Sequence, residues 1–157
     1  VAFSPEQLKM KKVPQNLTGV YHTLYMDDFV KLMKRVIPGL KVVGLPYNPA
    51  ESNACLAAEN LGQECKKQGI ELVEMPAYAS SEVLQTAQVL ANKGVDAFAV
   101  SADNTIYIAF GSVVKIAEEH HIPLFVTEPN QVKRGACVQE LALISITGVG
   151  KVAKLPL

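Results

Sequence analysis

Lys41-Val42-Val43-Gly44-Leu45-Pro46-Tyr47 is a strand-length apolar run that empties into a polar loop, Asn48-Pro49-Ala50-Glu51-Ser52-Asn53, and then into a helical pattern. The theme returns further on, where Asp96-Ala97-Phe98-Ala99-Val100 leads into Ala102-Asp103-Asn104-Thr105 and another helical run. Strands that are apolar almost throughout, without alternation, belong to parallel sheets covered on both faces. In open parallel sheets, ligands bind in the crevice beyond the carboxyl ends of the strands, where strand order reverses. The two polar loops are therefore where function is to be sought.

The rest of the chain fits around this pair. Asp27-Asp28 precede Phe29, Val30, Leu32, Met33, Val36 and Ile37; an acidic pair suits a helix N-terminus, and Pro38-Gly39 ends the helix. A second helix over about 51–68 places Ala54, Ala58, Leu61 and Cys65 on one face, with Lys66, Lys67 and Gly69 as its stop signals. Residues 70–76 read as a second strand. Ser80-Ser81 read as the cap of a helix carrying Val83, Ala87 and Leu90, which Gly94 stops. A third strand over 96–101 is followed by a helix over about 104–121 that turns Ile106, Phe110, Val113, Val114 and Ala117 toward the sheet. Residues 123–127 read as a fourth strand and 136–146, apolar throughout much of its length, as a fifth strand or in part as a helix.

Strands alternating with helices of roughly 12 to 18 residues imply right-handed βαβ crossovers. The fold expected is α/β: a three-layer, doubly wound parallel sheet, flavodoxin-like or Rossmann-like. Its strand order is 2-1-3-4-5, with the switch point between the first and third strands. The loops at 48–53 and 102–105 then flank the crevice. Residues 1–26, broken by Pro5, Pro14 and Gly19, read as an irregular segment, and 27–157 as a single lobe.

Composition narrows the function classes. The chain has 157 residues and a formal net charge of zero, which argues against a nucleic-acid partner, since phosphate binding wants clustered Lys and Arg. It begins at Val1 without a signal-peptide pattern, as a mature form or an excised domain would. Cys55, Cys65 and Cys137 show neither CxxC nor Cys/His spacing. Ten residues along one helix put Cys55 and Cys65 roughly 15 Å apart, beyond the Cα reach of a disulfide, about 7 Å. The cysteines read as small buried hydrophobes.

Each polar motif has a structural explanation beside the functional one. Asp103-Asn104-Thr105 suits an N-cap and equally suits a ligand's carboxylate or ammonium. Asn48-Pro49 and Ser52-Asn53 read as turn and cap, or as a ligand-facing loop with Tyr47 as its apolar wall. Thr127-Glu128-Pro129-Asn130 completes the rim, with Glu128 either solvated or paired to an amine. His120-His121 suits a helix C-terminus without a metal, and Asp27-Asp28 suits a helix start. Gly148-Val149-Gly150-Lys151 lacks the full spacing of a phosphate loop. A phosphoacceptor receiver domain fails because the first strand ends in Tyr47-Asn48-Pro49, with no carboxylate for a hard cation. No nucleophile, base and oxyanion donors converge, so no catalysis, cofactor or metal is expected.

Several segments, in order, resemble one family. They are Asn16-Leu17-Thr18-Gly19-Val20, Val42 to Pro49, Gly69-Ile70-Glu71-Leu72-Val73, Val95-Asp96-Ala97 with Asp103-Asn104-Thr105, Ile122-Pro123-Leu124-Phe125, and Val132-Lys133-Arg134-Gly135-Ala136. Together they resemble the substrate-binding proteins of bacterial ABC importers of the TrpX-like, type I periplasmic-binding family, over about residues 14–137. The stretch from Cys137 to Leu157 matches poorly, and Glu128 stands where many relatives carry Asp or Ser.

The resemblance implies a two-lobed, periplasmic or otherwise extracytoplasmic receptor that closes over a small solute, in several relatives an aromatic or branched amino acid. It implies further that this chain is the second lobe, with a first lobe and an ABC permease as partners. By position, Tyr47, Asn48, Ser52, Asn53, Asp103, Asn104, Thr105 and Glu128 become the candidate wall, with Tyr25 and Asp27 near the interlobe crossing. An isolated lobe that exposes its crevice could pair with a second copy. The alternatives are a ligand-sensing input domain of a signalling protein and, third, an enzyme of the same fold.

Overall fold

The computed structural model describes residues 25–101, 103–135 and 138–139. The irregular segment expected over 1–26 lies outside them except for its last two residues, as do Cys137, most of the strand expected over 136–146, and the glycine motif at 148–151.

Helix α1 (Met26–Val36) opens the described fold and leads into β1 (Val42–Tyr47), α2 (Ser52–Lys67) and β2 (Glu71–Pro76). A 3-10 turn over Ser80–Glu82 runs into α3 (Val83–Asn92), then β3 (Ala97–Val100), α4 (Asn104–Ile108) and α5 (Phe110–Glu119). The last elements are β4 (Leu124–Val126), α6 (Pro129–Val132) and β5 (Val138–Gln139). The strands form one sheet in the order β2-β1-β3-β4-β5, and every pairing is parallel. The order matches the sequence expectation, and the reversal falls between β1 and β3.

Side-chain alternation along the strands divides the core between the two faces. Val43, Leu45, Ala97, Ala99 and Phe125 pack with Phe29, Val30 and Met33 of α1 and with Ala57, Ala58, Leu61 and Cys65 of α2. Phe98, Val100, Leu124 and Val126 pack instead with Val83, Ala87 and Leu90 of α3 and with Phe110, Val113, Ile116 and Ala117 of α5. Phe29 meets Phe125 edge-on, ring centroids 6.5 Å apart. Gly69 and Gly94, both at positive φ, turn the chain out of α2 and α3, where a side chain would be strained. Cys65 is fully buried, and burial pushes its thiol up to about 11. Cys55 is half-buried and donates from Sγ to the Pro49 carbonyl.

Two local expectations are corrected. The helix expected over 104–121 is two helices, broken at Ala109, whose N–H reaches the Thr105 carbonyl at 3.4 Å. Gly111, a weak helix former, follows the break. The Tyr107 carbonyl accepts instead from Arg134 Nη1 at 3.0 Å, and the Arg134 guanidinium lies over the Tyr107 and Phe110 rings. Ser80-Ser81 form a 3-10 turn rather than a side-chain cap. The backbone N–H of Tyr78 donates to the Glu82 carboxylate at 2.8 Å, so the carboxylate organises this turn.

Candidate functional site

Ladder lengths in the sheet prepare the site. β1 pairs with β2 through six registers, from Val42↔Glu71 to Tyr47↔Pro76. Its pairing with β3 covers Val43↔Ala97 and Gly44↔Phe98. Pro46 has no N–H to extend a ladder. Beyond Gly44 the switch point is bridged by side chains of the two loops that follow β1 and β3.

Asp103 is the first bridge. The residue is 3 % exposed, with Oδ2 accepting from the Asn48 backbone N–H at 2.6 Å and Oδ1 from the Ile106 N–H at 2.9 Å. The second bond makes it the N-cap of α4. Burial raises the Asp103 carboxyl above its ordinary value, with the nearby Glu51 charge adding to the rise and the backbone donors opposing it.

Glu51 is the second bridge. Its Oε2 accepts from the Asn104 backbone N–H at 3.1 Å and from Asn104 Nδ2 at 2.8 Å. Its Oε1 accepts from the Thr105 backbone N–H and hydroxyl, each at 3.1 Å. Burial works against the charge, yet these donors together outweigh it and the carboxyl sits below its ordinary value. Asn48 completes the lattice, its Nδ2 donating to Thr105 Oγ1 at 2.7 Å and its Oδ1 accepting from the Ala50 N–H at 2.9 Å.

The candidate residues thus fall into groups. Asn48, Asp103, Asn104 and Thr105 come together around Glu51, a residue of the first polar loop that is not among the expected wall residues. The signal was there, a carboxylate directly before a helix and facing a loop rich in donors. Ser52 is exposed as the first residue of α2, and Asn53 is half-buried beside it. Tyr47 ends β1 half-buried and lies toward β2; burial, then the Glu74 carboxylate, raises its phenol above its ordinary value. Glu128 is the half-buried residue before α6. Tyr25, 49 % exposed, and Asp27, paired to Lys31 at 2.6 Å, lie at the start of α1.

Two further hydroxyls stand at this edge of the sheet. Ser101 follows β3 and Thr127 follows β4, and both side-chain oxygens are buried without a hydrogen-bond partner among the described residues. At the opposite edge, the Asp96 carboxylate accepts from the Lys41 and Val42 N–H groups, both at 2.8 Å, which fastens the starts of β1 and β3. Among the described residues no three metal-ligating side chains cluster, and no helix is long and apolar enough to cross a membrane.

A doubly wound α/β lobe with a polar rim at its switch point is the architecture of a ligand-binding lobe. The chain belongs to the ABC transporter substrate binding protein family, whose pattern matches residues 6–145. That match extends past residue 137, where the sequence resemblance fades. A tyrosine-binding protein of Clostridioides difficile (strain R20291) is 33 % identical over 127 residues, which cover 81 % of this chain and 36 % of that protein. A conserved domain protein from Vibrio cholerae superposes with a TM-score of 0.79 at 32 % identity, over 87 % of this chain and 47 % of the other. An ABC domain from Streptococcus pneumonia, solved in complex with L-Trp, gives a TM-score of 0.78 at 26 % identity over the same shares, 87 % and 47 %. The chain therefore spans about a third to a half of the length of these relatives.

Proposed function

We propose that this chain is one wall of the solute receptor of an ABC importer, and that its solute is an amino acid, aromatic or branched. The observation that carries the reading is the polar rim at the switch point, held in place by the Glu51 and Asp103 bridges. A rim fixed by the protein's own hydrogen bonds lowers the ordering cost of binding. Relatives described as a tyrosine-binding protein and as an L-Trp complex support an amino acid as the solute class.

In this reading Tyr47, Asn48, Ser52, Asn53, Asp103, Asn104, Thr105 and Glu128 form the wall. Asp103 and Asn48 serve chiefly by holding loops, since their oxygens already accept from the backbone. A first lobe supplies the facing wall, and closure of the two lobes encloses the solute. The receptor works outside the cytoplasm and delivers its solute to an ABC permease, with no chemical step of its own.

The test is isothermal titration calorimetry of the intact two-lobed protein with the twenty amino acids. Saturable binding of one aromatic or branched amino acid is the expected result. Heat from none of them, with the protein folded, would overturn the reading.

A further inference from the structure

We propose that the Ser101 and Thr127 hydroxyls receive the α-ammonium of the solute, a role that rests on the amino-acid receptor reading above. The register between β3 and β4 runs Phe98↔Leu124, Ala99↔Phe125, Val100↔Val126. The Thr127 N–H then donates to the Val100 carbonyl at 3.2 Å, extending the ladder beyond the strands. Ser101 and Thr127 are thus the next residues on two adjacent strands, abreast at the carboxyl edge.

Geometry favours a shared tetrahedral donor. Neighbouring strands lie about 4.7–4.9 Å apart. Two oxygens that each accept at about 2.9 Å from one ammonium nitrogen stand about 4.7 Å apart. One –NH₃⁺ group spans the strand spacing and keeps its third donor for another acceptor.

Satisfaction sets these two residues apart from their neighbours. Asn48, Asp103 and Thr105 have their polar atoms engaged within the protein, whereas both hydroxyl oxygens here have no partner among the described residues. Thr127 is 3 % exposed and Ser101 half-buried. A buried hydroxyl without a partner is unfavourable, so a native fold that keeps two side by side gains from a ligand that satisfies them. Both oxygens are shielded from solvent in this conformation. Binding therefore includes a turn of the Ser101 side chain between staggered wells and a local opening beside Thr127.

Charge selects the ammonium over the carboxylate. Glu51, Asp103 and Glu128 stand on the loops that follow β1, β3 and β4, three carboxylates against the one exposed lysine, Lys133, that follows α6. Arg134, the guanidinium nearest these loops in the chain, is held by the Tyr107 carbonyl and Gln131 Oε1.

The test titrates L-tryptophan and L-tyrosine, and their desamino analogues 3-(indol-3-yl)propionate and 3-(4-hydroxyphenyl)propionate, into the intact receptor and its Ser101→Ala and Thr127→Val variants. Each variant should weaken the amino acid about ten- to hundredfold and leave the weaker desamino analogue unchanged. Each should melt at the parental temperature or above, because an unpaired buried hydroxyl has been removed. Unchanged amino-acid affinity in both variants would overturn this proposal and leave the receptor reading standing. Equal weakening of amino acid and analogue, or a melting temperature lowered along with affinity, would also overturn it. A parent that binds neither amino acid nor any other of the twenty would overturn the receptor reading, and this proposal with it.

Discussion

Two neighbouring stretches of the same sheet edge are built on opposite terms. Between β1 and β3 every polar side chain of the bridge is engaged, with Asp103 and Glu51 together accepting from Asn48, Asn104, Thr105 and Ile106. Between β3 and β4, the hydroxyls of Ser101 and Thr127 are buried and unmatched. The first stretch spends its polarity on holding loops; the second keeps it in reserve. Polar residues at the mouth of an α/β sheet are therefore not one class, and their hydrogen bonds separate those that hold the loops from those left without a partner.

The largest effect should come from the engaged side. Asp103→Ala leaves two backbone N–H groups, of Asn48 and Ile106, without their acceptor, and should cost about 3 kcal/mol of stability in denaturant titration. A loss below about 1 kcal/mol would break the contrast, because Asp103 would then not be holding the two loops.

Glu51→Ala comes next. Its donors on Asn104 are exposed and can turn to water, so the loss should be about 1–2 kcal/mol. Glu51→Gln should fall between that variant and the parent, since one oxygen still accepts.

Acid should sharpen the comparison through the two carboxyls, whose shifts run in opposite directions. Glu51 holds its proton more weakly in the folded chain than at its ordinary value of 4.5. Its contribution is complete above that pH and is lost as pH falls through the lower folded value. Asp103 holds its proton more tightly than at its ordinary value of 3.8. The burden of its buried charge is full at neutral pH and is relieved as pH falls through the raised folded value. Denaturation midpoints between pH 3 and 7 should fall less steeply toward acid in Glu51→Gln than in the parent. A steeper fall would contradict the assigned direction.

The smallest effect belongs to Ser52→Ala. Ser52 is exposed, and no side-chain cap is seen at the start of α2, so stability should change by no more than about 0.5 kcal/mol. Any change in solute affinity would then report contact rather than folding.

The fold was legible because burial writes itself into composition. Val43, Leu45, Phe98, Val100, Leu124 and Val126 are all buried, and such runs have few readings other than central parallel strands. The broken helix at Ala109 was harder, because Ile106, Phe110 and Val113 keep a helical period across the break. What replaces the missing helical bond is a contact from Arg134, distant in sequence. The site was legible in place and less so in role. Asp103 and Asn48 are marked by the loops they occupy, but a loop position does not say whether an oxygen is already taken. Glu51 is marked locally as a carboxylate before a helix, but its partners lie 53 and 54 positions away, which no local pattern records. Ser101 and Thr127 gain their interest from bonds they do not make, which no residue pattern records.

The central claim is that the solute rests on the carboxyl edge of this sheet. Hydrogen–deuterium exchange on the intact two-lobed protein, with and without saturating L-tyrosine or L-tryptophan, tests it most directly. The account predicts new protection concentrated at 47–53, 101–105 and 127–128, with the opposite edge around Asp96 unchanged. Solute binding that protects other regions and leaves these three loops untouched would contradict it.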